Sequence, residues 1–232
     1  MHCRDNMTPR EKFDLSLLPE RPDLTFESQF WAEGLRWVAG IDEAGRGALA
    51  GPVAAGAVIF PSTIPDLEKK LDGVRDSKVL TPAEREKWTL VIKTHAAAWA
   101  VGFASSKEID SIGIVPATCL AASRALSQLN LAAEHLLVDY LILPDVNISQ
   151  MPLIKGDARS LTIASASILA KTTRDAQLVR MDEQYPGYHF SSNKGYATEA
   201  HRKAIYELGP CDQHRVTFSP VADYFSLFPP DS

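Results

Sequence analysis

An α/β domain is what this sequence should fold into, and three features point there. Short apolar runs read as buried strands: Val53 to Phe60 is almost wholly apolar, Ala97 to Ser105 follows later, and His135-Leu136-Leu137-Val138 leads into Asp139. Helix patterns separate these runs, including an alanine-rich stretch from Val115 to Leu129 whose Leu120, Ala121, Leu126 and Leu129 share a face, and a long one from about Leu161 to Gln184. The third feature is size: 232 residues, 45% hydrophobic and 23% charged, suit one globular domain with a sizeable core.

Residues 1–35, with Pro9, Pro19 and Pro22 among mixed charges, read as a lead-in with a short helix over 25–34. Arg36-Trp37-Val38-Ala39 is an extended entry to Gly40-Ile41-Asp42-Glu43-Ala44-Gly45-Arg46-Gly47, two acids at the end of a buried strand followed by a glycine-rich turn. Residues 61–73 form a loop with one helical turn over 67–71. Thr81-Pro82-Ala83-Glu84 then opens a helix, with Thr81 and Glu84 as a capping box and proline at the first helical position. Ser106-Lys107-Glu108 starts another helix, Tyr185 to Tyr188 is a turn, and Thr198 caps a last clear helix ending at Leu208. Residues 221–232 are expected to be a hydrophobic tail packed on its own domain.

Several classes are excluded. No apolar run reaches the roughly 18 to 20 residues of a membrane span. Met1-His2-Cys3-Arg4-Asp5-Asn6 lacks the form of a signal peptide, so a cytoplasmic location is expected. Cys3, Cys119 and Cys211 are odd in number and far apart, which suggests neither a disulfide framework nor a zinc site. No coiled-coil pattern is present, and a monomer is expected. The net charge of −5 weighs against a nucleic-acid binder. Leu153 to Ile205 runs the other way, with eight basic residues against five acidic ones, enough for a local positive face.

The chemistry lies with the acids. Ionised carboxylates are costly to bury without partners, so Asp42 and Glu43 beside an apolar strand call for a cation. Because successive strand residues face opposite ways, the strand is expected to end or bulge between them. Gly45 and Gly47 let a ligand approach the backbone closely, and Arg46 offers a planar fork suited to phosphate. Asp139, last in its strand, would sit at the carboxyl edge of the sheet, where ligands of open α/β sheets bind. Read alone it more readily starts a turn, and Asp145 in a proline-broken loop competes with it. Asp157 precedes the long helix and is either a ligand or a cap favoured by the helix dipole. Asp76-Ser77-Lys78 is a solvated turn or a phosphate clamp, and Tyr196 is a core ring or a platform beside a sugar.

Taken together, Asp42 to Gly47 followed by Leu49-Ala50-Gly51-Pro52-Val53, then Asp76-Ser77-Lys78, Lys155-Gly156-Asp157-Ala158-Arg159-Ser160 with Ile163 to Lys171, and Lys194-Gly195-Tyr196-Ala197-Thr198 resemble ribonuclease HII, over about residues 36–220. Ala48 and Ala197 stand where many members carry proline and glycine. The resemblance implies a ribonuclease H-like mixed β-sheet flanked by helices, with a helical C-terminal portion, and it selects Asp139 over Asp145. It implies that Asp42, Glu43, Asp139 and Asp157 hold magnesium or manganese, two ions with substrate bound, and that the RNA strand of an RNA–DNA hybrid is cut. Cleavage 5′ of a single ribonucleotide in duplex DNA, leaving 5′-phosphate and 3′-hydroxyl, is part of the same expectation. Gly45, Arg46, Gly47, Ser77, Lys78, Lys155, Arg159 and Tyr196 are the expected substrate contacts, with Tyr196 on the sugar after the ribonucleotide. Small residues of the long helix (Ala164, Ser165, Ala166, Ser167, Ala170) and His214-Arg215-Val216-Thr217-Phe218 are read as structural. The tail segment Tyr224 to Phe228 loosely resembles sliding-clamp-binding peptides without their leading glutamine. Two rivals are a catalytically inactive hybrid-binding protein and a ribonuclease HIII-like enzyme; the latter usually has an N-terminal platform and lysine where Arg46 stands.

Overall fold

In chain order, the computed structural model, which describes residues 13–228, contains α1 (Thr25–Ala32), β1 (Val38–Ala44), β2 (Val53–Ile59), α2 (Leu67–Lys70), α3 (Pro82–His95), β3 (Ala98–Ala104), α4 (Ser106–Ile112), α5 (Ile114–Ser127), β4 (His135–Asp139), β5 (Ser149–Leu153), α6 (Leu161–Gln184), α7 (Phe190–Asn193), α8 (Glu199–Leu208) and α9 (Val221–Leu227). The outer parts of the expected lead-in and tail, residues 1–12 and 229–232, lie outside the described residues. The capping box of Thr81 and Glu84 opens α3, and Ser105 with Glu108 makes a second one at α4.

β1 is the central strand of a mixed sheet ordered β3-β2-β1-β4-β5. It pairs antiparallel with β2 and parallel with β4, while β3 and β5 form the edges. β5 was not expected from Ser149-Gln150-Met151-Pro152-Leu153, which lacks both alternation and β-branched residues. Pro152 cannot donate to a ladder, and an edge strand is where a sheet tolerates that.

Alternation along the strands divides the core between two faces. Ala39 and Ile41 of β1 join Val53, Ala55, Ala57 and Ile59 of β2 against Ala117, Ala121, Ala122 and Ala125 of α5. On the other face Val58 packs with Leu161, Ala164 and Ile168 of α6, and Val38 and Leu137 pack with Ile163. Here α6 sits unusually close. A Cβ at Gly40 would lie 2.3 Å from the Thr162 carbonyl carbon, and one at Gly56 would lie 2.2 Å from the Ala166 carbonyl oxygen.

The C-terminal portion is helical, and the expected tail contains α9. Val221 is buried with Leu49 and Ile205, and Tyr224 and Phe225 pack around them. Leu227 and Phe228 remain exposed. Among the described residues, no helix is long and apolar enough to cross a membrane.

Candidate active site

The register of the central strands places the first two acids. Ile41 is paired with Val138, so Asp42 and Asp139 come next to each other one step further on, both on the α6 face. β1 does not end or bulge between Asp42 and Glu43, contrary to the sequence expectation. Its pairing with β2 continues through Asp42–Gly56, Glu43–Ala55 and Ala44–Ala54. The pairing with β4 stops at Ile41 and β4 itself ends at Asp139, so Glu43 overhangs the end of that strand and reaches the cleft from this rim. The Glu43 main-chain N–H donates to Asp42 Oδ1 at 2.7 Å, and Glu43 Oε1 accepts from Arg46 Nη1 at 3.1 Å.

Asp157 comes from a 3₁₀ turn, Gly156–Ala158, between β5 and α6. It is not the cap of α6: that position is held by Ser160, whose hydroxyl accepts from the Ile163 N–H at 3.2 Å. The Gly156 N–H donates to Asp139 Oδ1 at 2.7 Å, which ties the turn to β4. A Cβ at position 156 would lie 2.7 Å from Ile163 Cδ1. One oxygen from each of Asp42, Asp139 and Asp157 lies within 4.8 Å of the other two. Glu43 is outside this trio but lines the same cleft as Asp42 and Asp139, and Asp145 is exposed in its loop.

The three aspartates are short of positive charge. Burial, then Glu43 and Asp139, push Asp42 well above the ordinary carboxylate range, against a hydrogen bond from Ser167. Burial and the neighbouring Asp157 push Asp139 up to about 7. Glu43 is also raised by burial, and Arg46 opposes the rise. Lys78 Nζ stands 3.3 Å from Asp157 and 3.7 Å from Asp76. Burial works against its charge, but Asp157, Asp76 and Asp42 together raise its pKa. One ammonium does not neutralise such a group. An oxygen-only donor set, with no histidine or cysteine in it among the described residues, fits magnesium or manganese.

Around the acids lies a cleft of about 510 Å³. Gly45, Arg46, Gly47, Ser77, Lys78 and Tyr196 line it, as does Lys171. Ser77 is buried, and its hydroxyl pairs with that of Ser167 at 2.9 Å. Lys155 and Arg159 are not among the lining residues. Lys155 is exposed with a left-handed φ of 54°, and the Arg159 guanidinium lies 4.9 Å from the Phe26 ring. Both flank Asp157 in sequence, and the Arg159 guanidinium turns to the lead-in helix.

Two fully buried arginines hold the glycine turn. Arg215 donates to the carbonyls of Gly45 at 2.8 Å, Arg46 at 2.7 Å and Gly51 at 3.1 Å. Arg174 donates to Pro52 at 2.8 Å, Ala50 at 3.1 Å and Lys194 at 2.9 Å. At Gly45, φ is +90° and a Cβ would fall 2.0 Å from Arg174 Nε, so only glycine fits. Asp110 anchors the closing segment by accepting from the Val216 and Thr217 N–H groups, each at 3.0 Å. Tyr196 stands over Lys171 and Arg174, with cation-to-ring distances of 5.1 and 5.5 Å. Ser167, Lys171 and Arg174 were not singled out from sequence as site residues. The available signal was their spacing of four and three, which aligns the three polar groups on one face of the helix.

Comparison with known proteins agrees with this geometry. The family profile of ribonuclease HII matches residues 39–221. Ribonuclease HII of Synechococcus sp. (strain JA-3-3Ab) is 48% identical over 203 residues, covering 88% of this chain and 90% of the relative. Among solved structures, ribonuclease H2 from Pyrococcus horikoshii OT3 superposes with a TM-score of 0.69 at 26% identity, over 84% of this chain and 100% of that one. The RNase HII of a PCNA:RNase HII complex from Archaeoglobus fulgidus gives 0.64 at 26% identity, over 81% and 96%. The profile spans both the sheet that carries the acids and the two arginines that hold the glycine turn, and on that footing the chain belongs to the ribonuclease HII family.

Proposed function

We propose that this protein is a metal-dependent endoribonuclease that cuts the RNA strand of RNA–DNA hybrids, including 5′ of a single ribonucleotide embedded in duplex DNA. The convergence of Asp42, Asp139 and Asp157 carries the reading: carboxylate oxygens this close, in a largely buried setting, call for a divalent cation. These three and Glu43 are the proposed ligands. Two magnesium or manganese ions there would supply Lewis acidity at the scissile phosphate and a more acidic attacking water. Cleavage then leaves a 5′-phosphate and a 3′-hydroxyl.

The chain itself supplies orientation and selectivity. Lys78, beside Asp157 and exposed at the cleft, meets the phosphate backbone. Only the 2′-hydroxyl separates RNA from DNA at one position. The turn Gly45–Gly47, fixed by Arg174 and Arg215, presents main chain to that group at close range. Tyr196 lies along the same cleft and takes the next sugar. For the tail, a contact with a sliding clamp is proposed. The Archaeoglobus relative is solved with PCNA, and here Leu227 and Phe228 are the exposed end of α9.

The test is a labelled duplex with one ribonucleotide, incubated with magnesium, with manganese or with chelator. A metal-dependent cut on the 5′ side of the ribonucleotide is expected. Tight binding with no cut under any condition would overturn the assignment in favour of a hybrid-binding protein.

A further inference from the structure

We infer that Glu27, on the lead-in helix α1 and outside the family-profile match, is a positioning residue for Asp157; this rests on the ligand role proposed above. Glu27 is fully buried. Its Oε1 accepts from the Ser160 hydroxyl at 2.6 Å, from the Thr162 N–H at 3.0 Å and from the Thr162 hydroxyl. It therefore supplies a second acceptor at the start of α6, beside the Ser160 hydroxyl that caps it.

Immediately before this cap in the chain stands the ligand turn. The Ser160 N–H donates to the Gly156 carbonyl at 2.8 Å, and the Gly156 N–H donates to Asp139 at 2.7 Å. Asp157 lies inside this short closed loop. The lead-in grips the same segment at two more points. The Leu161 N–H donates to the Asp23 carbonyl at 2.8 Å and the Asp23 N–H to the Arg159 carbonyl at 3.3 Å, while Phe26 stacks under the Arg159 guanidinium. The 156–162 segment is thus held by the ligand cluster on one side and by residues 23–27 on the other.

A carboxylate is a costly choice if α1 serves only to cover the core. Burial raises the Glu27 pKa, and its Oε2 is buried with no hydrogen-bond partner among the described residues. An apolar residue would cover the core, but it would not receive the three donors of Ser160 and Thr162. Groups that hold metal ligands from behind are worth about 10–100-fold in metal affinity.

Manganese binding by the full-length chain, measured by calorimetric titration alongside thermal melting, tests the inference. Glu27→Leu should weaken manganese binding about tenfold, while Glu27→Gln, which keeps the acceptor, should bind as the wild type does. Thr162→Val, which removes one donor and leaves Glu27 in place, should show a smaller weakening and serves if Glu27→Leu does not fold. Phe30→Leu, a packing change on the same helix where Phe30 stacks on His135 at 3.8 Å, should lower the melting temperature without moving manganese affinity. Unchanged manganese binding in Glu27→Leu, or in Thr162→Val where the former is unfolded, would overturn the positioning role. Wild-type protein that takes up no manganese would instead refute the ligand assignment, and the inference would fall with it.

Discussion

Asp139→Asn should make the metal-free protein more stable while destroying its activity. Asp139 titrates at about 7 in the folded chain against an ordinary 3.8, chiefly through burial and then Asp157. The folded state therefore binds more protons than the unfolded one between these values, and metal-free stability falls as pH rises from about 4 through about 7. At 1.36 kcal/mol per tenfold change, the full rise amounts to about 4 kcal/mol. Partial exposure and sharing with neighbouring acids reduce the net gain on neutralisation to about 1–3 kcal/mol. Asparagine carries no charge and keeps an acceptor for the Gly156 N–H. In chelator at pH 8 the variant should melt about 3–10 °C above wild type, and near pH 4 the difference should vanish. Manganese should raise the wild-type melting temperature and leave the variant nearly unmoved. Cleavage should be abolished with hybrid binding retained. A variant melting at or below wild type in chelator at pH 8, or stabilised equally by manganese, would refute the description of the acids as one charge-starved site.

Three other outcomes are expected. Tyr196→Ala should reduce cleavage at an RNA-to-DNA junction at least tenfold, roughly the loss of a base- or sugar-stacking ring, with little change in melting; an equal loss of stability would make the ring a core residue. Arg215→Lys, which cannot fork across the Gly45, Arg46 and Gly51 carbonyls, should lower the melting temperature by several degrees and slow cleavage without changing manganese affinity in calorimetry. Leu227→Ser combined with Phe228→Ser should lower melting only slightly, since both side chains are largely at the surface although Phe228 touches the rings of Tyr206 and Tyr224, and should abolish retention on immobilised sliding clamp; undiminished retention would remove the tail from that contact.

The strands and helices with strong patterns were readable from sequence because their signals are local. β2 is apolar throughout, and α3 carries a capping box at its start. β5 was not readable, because its place comes from pairing with β4 rather than from its own composition. Within the site, the acids stood out as charges beside apolar runs, and family resemblance separated Asp139 from Asp145. Their geometry did not follow from local rules. A break was expected between Asp42 and Glu43, whereas the overhang arises because one neighbouring strand ends before the other. Lys155 and Arg159 came with the family resemblance of the Asp157 motif, and neither is among the residues lining the cleft. Ser167 was read as a packing residue, since its hydroxyl acquires a role only once α6 lies on the sheet.

Gly40 and Gly56 bring no side chain to the cleft, yet a methyl group on either would wedge helix and sheet apart. The wedge would carry the Ser167 hydroxyl away from Asp42. A mutational screen scored by turnover alone would therefore rank these two glycines with the carboxylates. Sorting hits by whether the folded fraction still takes up manganese would separate spacers from ligands, and would map how thin the interlayer gap must stay for the enzyme to work.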